Sequence, residues 1–388
     1  MMAKTVTKMD ENSVVKISTF KSGNFVFSSK YDRTELGPRI YGLKMLYKTV
    51  IDLPVLPDWS TRFNSEIIKK SIFGTAALEG NPLSEEDVGK IIEDKGKKEA
   101  TQRAEQEIIN LKKVYETIRQ QGLADQPAKL EESSIKEKHK AITKDIDYVT
   151  NIPGVYRNYK VMVGNKDHGG VYTPPKCLPD IQNLMKEFCK WINSKEIMGL
   201  DAIVRAALAH YHLGLIHPFG DGNGRTARVM EASLLHASGI RLVPTMLSSY
   251  YYRNIDDYFW AFSLARKNKD NDVTPFIGFI LDGVMDSLQE IEKGVVSHLQ
   301  RLLMRDYSAF LRKDKSITQR QNDLIDTILH SGPYAEITLR DLTNTSPYKA
   351  LYRGISERTA RRDLQKLCDL GLLFQEHGKY KLSFSTFQ

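Results

Sequence analysis

The chain has 388 residues, 41% hydrophobic and 27% charged, which is enough for two or three globular domains with their own cores. No apolar run approaches the roughly 18 residues of a membrane span, and the start lacks the basic-then-apolar layout of a signal peptide. Three scattered cysteines, Cys177, Cys189 and Cys368, have no metal-ligand spacing and suit a reducing cytoplasm, while a net charge of +8 is compatible with acidic partners or nucleic acid.

Residues 1 to about 36 alternate weakly (Val14, Val15, Ile17; Phe25, Val26, Phe27), carry many Lys, Ser and Asn, and read as a partly extended arm. From Pro38 a helical period appears in Ile40, Leu43, Leu46, Tyr47 and Val50, and the Pro54/Pro57 pair ends it. A second helix runs from about Ser60 through Ile67, Ile68 and Ile72 to Leu78, closing at Glu79-Gly80-Asn81-Pro82. Glu79 is then a carboxylate at a helix C-terminus, where the dipole disfavours an acid and a cation is welcome. On composition alone it reads as a solvated surface acid.

Ser84 caps the next helix, with Asp87 three positions on. An amphipathic stretch follows from about Ala100 to Gln120, a loop from Gly122 to Lys129, and a helix from Ser133 to about Tyr148. His139 within it reads as a core or surface residue. Tyr159–Val163 and Val171–Thr173 flank a glycine-rich turn and read as a β-hairpin. Helices at Ile181–Ile192 and Asp201–Leu213 lead to the most informative stretch of the chain, His217-Pro218-Phe219-Gly220-Asp221-Gly222-Asn223-Gly224-Arg225-Thr226-Ala227-Arg228.

Gly220, Gly222 and Gly224 allow φ > 0 and a close approach of backbone N–H groups to an anion. The loop opens directly into a helix N-terminus, which favours a phosphate. Arg225 and Arg228 lie three apart and can both reach that cradle. Asp221 is a hard oxygen ligand suited to a phosphate-bound magnesium. His217 is the group whose ordinary pKa suits proton abstraction near neutral pH.

This stretch resembles the signature of the Fic family, His-Pro-Phe-x-Asp/Glu-Gly-Asn-Gly-Arg-x-x-Arg, with no gap and no substitution at a defining position. The resemblance covers roughly residues 40 to 295. It implies transfer of AMP from ATP to a Tyr, Thr or Ser hydroxyl of a protein. His217 would be the base, Asp221 the Mg²⁺ ligand, and Gly220, Gly222, Asn223, Gly224, Arg225 and Arg228 the phosphate site. Relatives that act as kinases carry a lysine where Gly224 stands, so Gly224 implies AMP rather than phosphoryl transfer.

The same resemblance makes the hairpin a flap that holds a target protein by strand addition. It places Tyr251, Asn254 and Tyr258 on the adenine side of the pocket, although tyrosines at this spacing also read as core. Thr75-Ala76-Ala77-Leu78-Glu79-Gly80 resembles the family's inhibitory motif, with Glu79 pairing Arg228. Removal of AMP, with Glu79 orienting a water, is also compatible with this subclass.

Pro275 to Leu303 reads as one long helix. Beyond it, helices at Thr318–Leu329, Ile337–Leu342 and Ser356–Leu367 precede a turn at His377-Gly378, which resembles a winged helix. Arg358, Arg361, Arg362 and Lys366, with Lys379 and Lys381, form a footprint for DNA, although such domains also dock proteins.

The fold expected is mainly α: a Fic-type helical bundle with a small β-hairpin flap, followed by a C-terminal winged helix-turn-helix domain. The expected divisions are 1–110 with the inhibitory helix, 111–300 as the catalytic domain, and 305–388. The alternative function is a DNA-binding transcriptional regulator whose Fic domain senses nucleotide. Target protein and oligomeric state, a homodimer included, stay open at this level.

Overall fold

The computed structural model describes residues 13–93, 102–121, 128–147, 150–332 and 335–385. Expectations that fall on 1–12, 94–101, 122–127 and 148–149 therefore lie outside the described residues. The chain divides into two compact units, Met1–Asp52 with Ser60–Gln289 and Leu53–Trp59 with Glu290–Gln388. No helix among the described residues is long and apolar enough to cross a membrane.

The expected N-terminal arm is instead a hairpin of β1 (Val14–Ser18) and β2 (Asn24–Ser28), with Ile17 opposite Phe25. Its turn is fastened from a distance. The Asp180 carboxylate accepts from the N–H groups of Phe20 and Lys21 and from the Ser22 hydroxyl. Helix α1 (Arg33–Ile51) starts ahead of Pro38 because Asp32 caps it, accepting from the N–H groups of Thr34 and Glu35.

Helices α2 (Pro57–Ala77), α3 (Glu85–Glu93), α4 (Arg103–Gln120) and α5 (Glu132–Ile142) follow. The last stops short of the expected Tyr148; just beyond it Asp145 takes a positive φ of 55°. Next come α6 (Leu178–Ile192), α7 (Lys195–Met198), α8 (Ala202–Ile216) and α9 (Asn223–Ala237). Helices α10 (Leu247–Arg253), α11 (Ile255–Lys267) and the long α12 (Thr274–Lys313) complete the run.

Helices α8 and α9 are buried nearly all round and pack against each other at the centre of the first unit. A cluster of Ile68, Ile72, Val88, Ile108, Leu111 and Val229 fixes α2, α3, α4 and α9 together. Each such side chain contributes about 1.5–3 kcal/mol on burial. This packing brings the end of α2, and Glu79 with it, to the start of α9.

The expected flap hairpin has no strands. One antiparallel bridge joins Val163 and Tyr172, through mutual N–H···O bonds of 3.0 and 2.8 Å. Gly164, Gly169 and Gly170 at φ 96°, 87° and 83° turn the chain away from a ladder.

In the second unit α13 (Gln319–His330), α14 (Leu339–Asn344), α15 (Tyr348–Leu351) and α16 (Glu357–Asp369) surround a core that includes Leu324, Leu342, Leu364 and Leu373. The order of its small sheet is β3 (Glu336–Ile337), β5 (Lys379–Leu382), β4 (Leu373–Glu376), all antiparallel. Ile337, expected to open the second helix, pairs with Tyr380 in this sheet. Thr338 then caps α14 in a reciprocal box with Asp341. The one-turn α15 has no counterpart in the sequence reading. Asp363 of α16 is buried and held by Arg320 at 2.8 Å and Gln321 at 3.0 Å, which ties α16 to α13.

Candidate active site

Helix α8 ends at Ile216, and His217 takes a left-handed conformation at φ 50°, ψ 57°. A non-glycine residue at positive φ is uncommon, and here surrounding groups hold it. Arg157 donates through Nε to the His217 carbonyl (2.8 Å) and through its backbone N–H to the Pro218 carbonyl (3.0 Å). The turn sends the His217 ring into a cavity of about 340 Å³. Burial, then the Arg157 charge, lowers its pKa to about 4. The imidazole is thus neutral at physiological pH and able to accept a proton.

The loop beyond is built from side-chain to backbone bonds. Asn223 accepts from the Phe219 N–H and donates to the Phe219 carbonyl, both at 2.9 Å. These two bonds use one acceptor site and one N–H of the Asn223 amide to fasten the loop. His139 is buried; its Nδ1 accepts from the Gly154 N–H, so Nε2 donates to the Asp221 carbonyl, each at 2.9 Å. Its ring stacks on Phe219 at 3.6 Å. Burial lowers its pKa to about 4, so the neutral ring is a fixed strut for the loop.

Of the three glycines only Gly222 has a positive φ, 74°. The others answer to crowding. A Cβ on Gly220 would lie 2.6 Å from the Thr150 carbonyl and from the Tyr159 hydroxyl. One on Gly224 would collide with Glu79 Oε1.

The two arginines part company. Arg228 lines the cavity, donating to Glu79 Oε1 at 2.6 Å and to the Thr75 carbonyl at 3.2 Å. Burial raises the Glu79 pKa, but Arg228 and Arg225 more than offset it and hold the carboxyl below its ordinary value. Arg225 is not a lining residue, contrary to expectation. It turns to Glu107 of α4 at 3.1 Å and back to Asp221 at 2.9 Å. Two carboxylates outcompete the cavity for it. Asp221 also accepts from the Gly222 N–H, and Arg103 lies 3.6 Å from its second oxygen. Among the described residues no three His, Cys, Asp or Glu side chains gather as a metal site.

Of the three residues expected near adenine, Tyr258 lines the cavity, its hydroxyl 2.9 Å from His210 Nε2. Tyr251 does not; it is buried, donating to Glu231 at 3.0 Å. Asn254 does not either. It is the junction of α10 and α11, and its amide donates to the Tyr250 carbonyl, closing the end of α10.

The lining the sequence reading missed is one face of α11, with Phe259, Phe262, Ser263 and Arg266 continuing from Tyr258 at intervals of three and four. That spacing was the available signal. The 163–172 segment is tied to both helices: Tyr172 donates to the Gly214 carbonyl of α8 at 2.9 Å, and His168 Nε2 lies 2.6 Å from Asp256 of α11.

The description "Fic/DOC family" matches residues 129–235, and "DeoR-like helix-turn-helix domain" matches 350–386. The protein adenylyltransferase Fic of Drosophila erecta is 34% identical over 150 residues, 38% of this chain and 26% of that protein. Its counterpart in Drosophila ananassae is 28% identical over 224 residues, 57% of this chain and 41% of that protein. The chain thus spans well under half the length of these curated relatives. A Fic family protein from Desulfovibrio desulfuricans G20 shares the fold at a TM-score of 0.54 and 22% identity, over 89% of this chain and 96% of that one. Fic-1 (134–508) from C. elegans does so at 0.52 and 24%, over 67% and 72%. This chain carries a Fic/DOC family domain followed by a C-terminal DeoR-like helix-turn-helix domain, and is distantly related to protein adenylyltransferase Fic.

Proposed function

We propose that the chain transfers AMP from ATP to a hydroxyl group of a protein and that Glu79 restrains the reaction. The observation that carries this reading is the neutral His217 imidazole opening onto the same cavity as the Arg228 guanidinium. His217 would take the proton of the incoming hydroxyl as its oxygen bonds to the α-phosphorus. The bond to the bridging oxygen breaks, and pyrophosphate leaves. Arg228 would receive the terminal phosphates once Glu79 gives it up. The N–H groups at the start of α9 would face the α-phosphate.

Asp221 does not line the cavity and its carboxylate is held by Arg225 at 2.9 Å and by the Gly222 N–H, so it would hold a phosphate-bound magnesium only by turning from Arg225. Bound there, the metal would offset the charge building on the phosphates. General-base help is worth about 10²–10⁴-fold, and charge stabilisation by Arg228 would add to it. The likeness to the Drosophila protein adenylyltransferases supports the reaction class, as does Gly224 in place of the lysine of kinase relatives. A target segment would lie along the flap near Val163 and Tyr172, joined by backbone hydrogen bonds.

Incubation with α-³²P-labelled ATP tests the reading. Label on this chain or on a lysate protein, absent in His217→Ala, supports it. Absence of label from every variant favours the nucleotide-sensing regulator instead.

A second activity rests on α16, where Arg358, Arg361, Arg362 and Lys366 are all exposed. Such a face fits a DNA major groove and its phosphates. Of the sheet lysines, Lys379 pairs with Glu336 at 2.6 Å and Lys381 with Glu336 and Glu376 at 2.8 and 2.9 Å, so α16 would carry most of the contact.

A further inference from the structure

A second cavity, of about 380 Å³, lies where α2, the end of α4, the last turn of α9 and the loop after it meet. It shares no lining residue with the His217 cavity. Its polar lining among the described residues is cationic or neutral, Arg119, Arg241, His236, Asn64, Gln121 and Thr245, and none of these is a carboxylate. Ile68, Ile118 and Pro244 give it an apolar floor.

Among the described residues neither Arg119 nor Arg241 has a side-chain partner in an ion pair. His236 is buried, 7% exposed, and its Nε2 lies 3.4 Å from the Gln121 carbonyl. Burial, then the Arg241 charge, lowers its pKa. Three cationic or potentially cationic groups around one concavity repel each other, and an anion among them relieves that repulsion. Planar guanidinium forks present paired N–H donors that match phosphate oxygens. The carbonyl end of α9 works against an anion, but its partial charge falls off within a turn, whereas the guanidiniums carry whole charges.

We propose that this cavity is a second ligand site, which takes a small phosphate-bearing molecule between Arg119, His236 and Arg241. The phosphate would sit between the two guanidiniums with the imidazole beneath it, and the rest of the molecule would lie over Ile68, Ile118 and Pro244. Asn64 and Ile68 belong to α2, the helix that ends beside Glu79, so the ligand would touch that helix far from the His217 cavity.

Equilibrium dialysis of the full chain with ³²P-labelled inorganic pyrophosphate at low ionic strength tests this. Arg228→Ala/Arg266→Ala removes both cavity guanidiniums, and one saturable site should remain. Adding Arg119→Gln/Arg241→Gln should weaken that site at least tenfold. In the otherwise unaltered chain the same pair of substitutions should remove one of two sites and leave the melting temperature unchanged, since both side chains are exposed. No saturable binding once Arg228 and Arg266 are gone, or binding indifferent to Arg119→Gln/Arg241→Gln, overturns the proposal.

Discussion

Glu79→Gly removes the carboxylate that Arg228 holds at 2.6 Å. The Arg228 side chain is 2% exposed and the Glu79 side chain 26%, so the pair is screened weakly by water. Breaking a pair of this kind shifts the balance by about 3 kcal/mol. A terminal phosphate arriving at Arg228 no longer has to displace an acid, and each 1.4 kcal/mol is about tenfold. The initial rate of self-labelling from α-³²P-labelled ATP should therefore rise by roughly two orders of magnitude.

Glu79→Asp should rise less, since the shorter acid still reaches toward Arg228. Glu79→Gly/His217→Ala should not label. The same substitution leaves Arg228 as an unpaired buried charge, so the ATP-free protein should melt lower and ATP should restore it. Scanning calorimetry with and without ATP reads that second effect independently of turnover. A labelling rate in Glu79→Gly equal to or below that of the unaltered chain refutes the inhibitory role of the pair.

His217→Ala should reduce labelling by at least about a hundredfold while ATP binding by calorimetry stays nearly intact; more than a tenth of the original rate contradicts the general-base role. Because the His217 pKa is lowered to about 4, and the Glu79 charge that raises it is gone in Glu79→Gly, the acid limb of kcat/KM in that variant should fall at about pH 4 or below, and a half-maximum at 6.5 contradicts the burial argument. His212 is likewise lowered to about 4 by burial; the unfolded chain binds more protons between pH 6.5 and 4, so the stability held above 6.5 is lost across that window, by up to about 3 kcal/mol. Urea midpoints at pH 7 and 4.5 should show a smaller drop in His212→Gln than in the unaltered chain. Arg361→Ala/Arg362→Ala should weaken duplex DNA binding and reduce the salt slope by about 1.8, and unchanged binding by mobility shift moves α16 to a protein-docking role.

The fold and the centre of the site were legible where the deciding residues are neighbours in sequence. The winged-helix outline followed from local caps and turns, such as Ser356 and Gly371, and His217 through Arg228 form one contiguous stretch. What the sequence hid depends on remote partners. The β1–β2 hairpin needs Asp180 to hold its turn. Gly220 and Gly224 read as residues needing positive φ, yet the pressure on them comes from Thr150, Tyr159 and Glu79. Asn223 and Asn254 read as ligand contacts, and the structure adds a bond from each amide to a backbone carbonyl of its own loop or helix end. An amide can serve either purpose, and only the geometry of nearby unsatisfied carbonyls decides between them.

The two arginines of the motif show how such partners divide the labour. Arg225 and Arg228 have the same chemistry and sit on the same first turns of α9, yet their carboxylates differ in how firmly they are held. Glu107 is bonded from several sides, by Arg225, by Arg103 at 3.4 Å and by Asn81 at 3.0 Å, and its side chain is 8% exposed. Glu79 has Arg228 as its one hydrogen-bond partner among the described residues, and Gly80 at φ 83° follows directly. Displacing Glu107 would strand a buried acid and break its contacts with Arg225, Arg103 and Asn81 together. Displacing Glu79 strands only one guanidinium, and an incoming phosphate takes its place. In the proposed reaction a phosphate-bearing ligand would therefore compete for Arg228 rather than for Arg225, whose two carboxylates fasten the loop to α4.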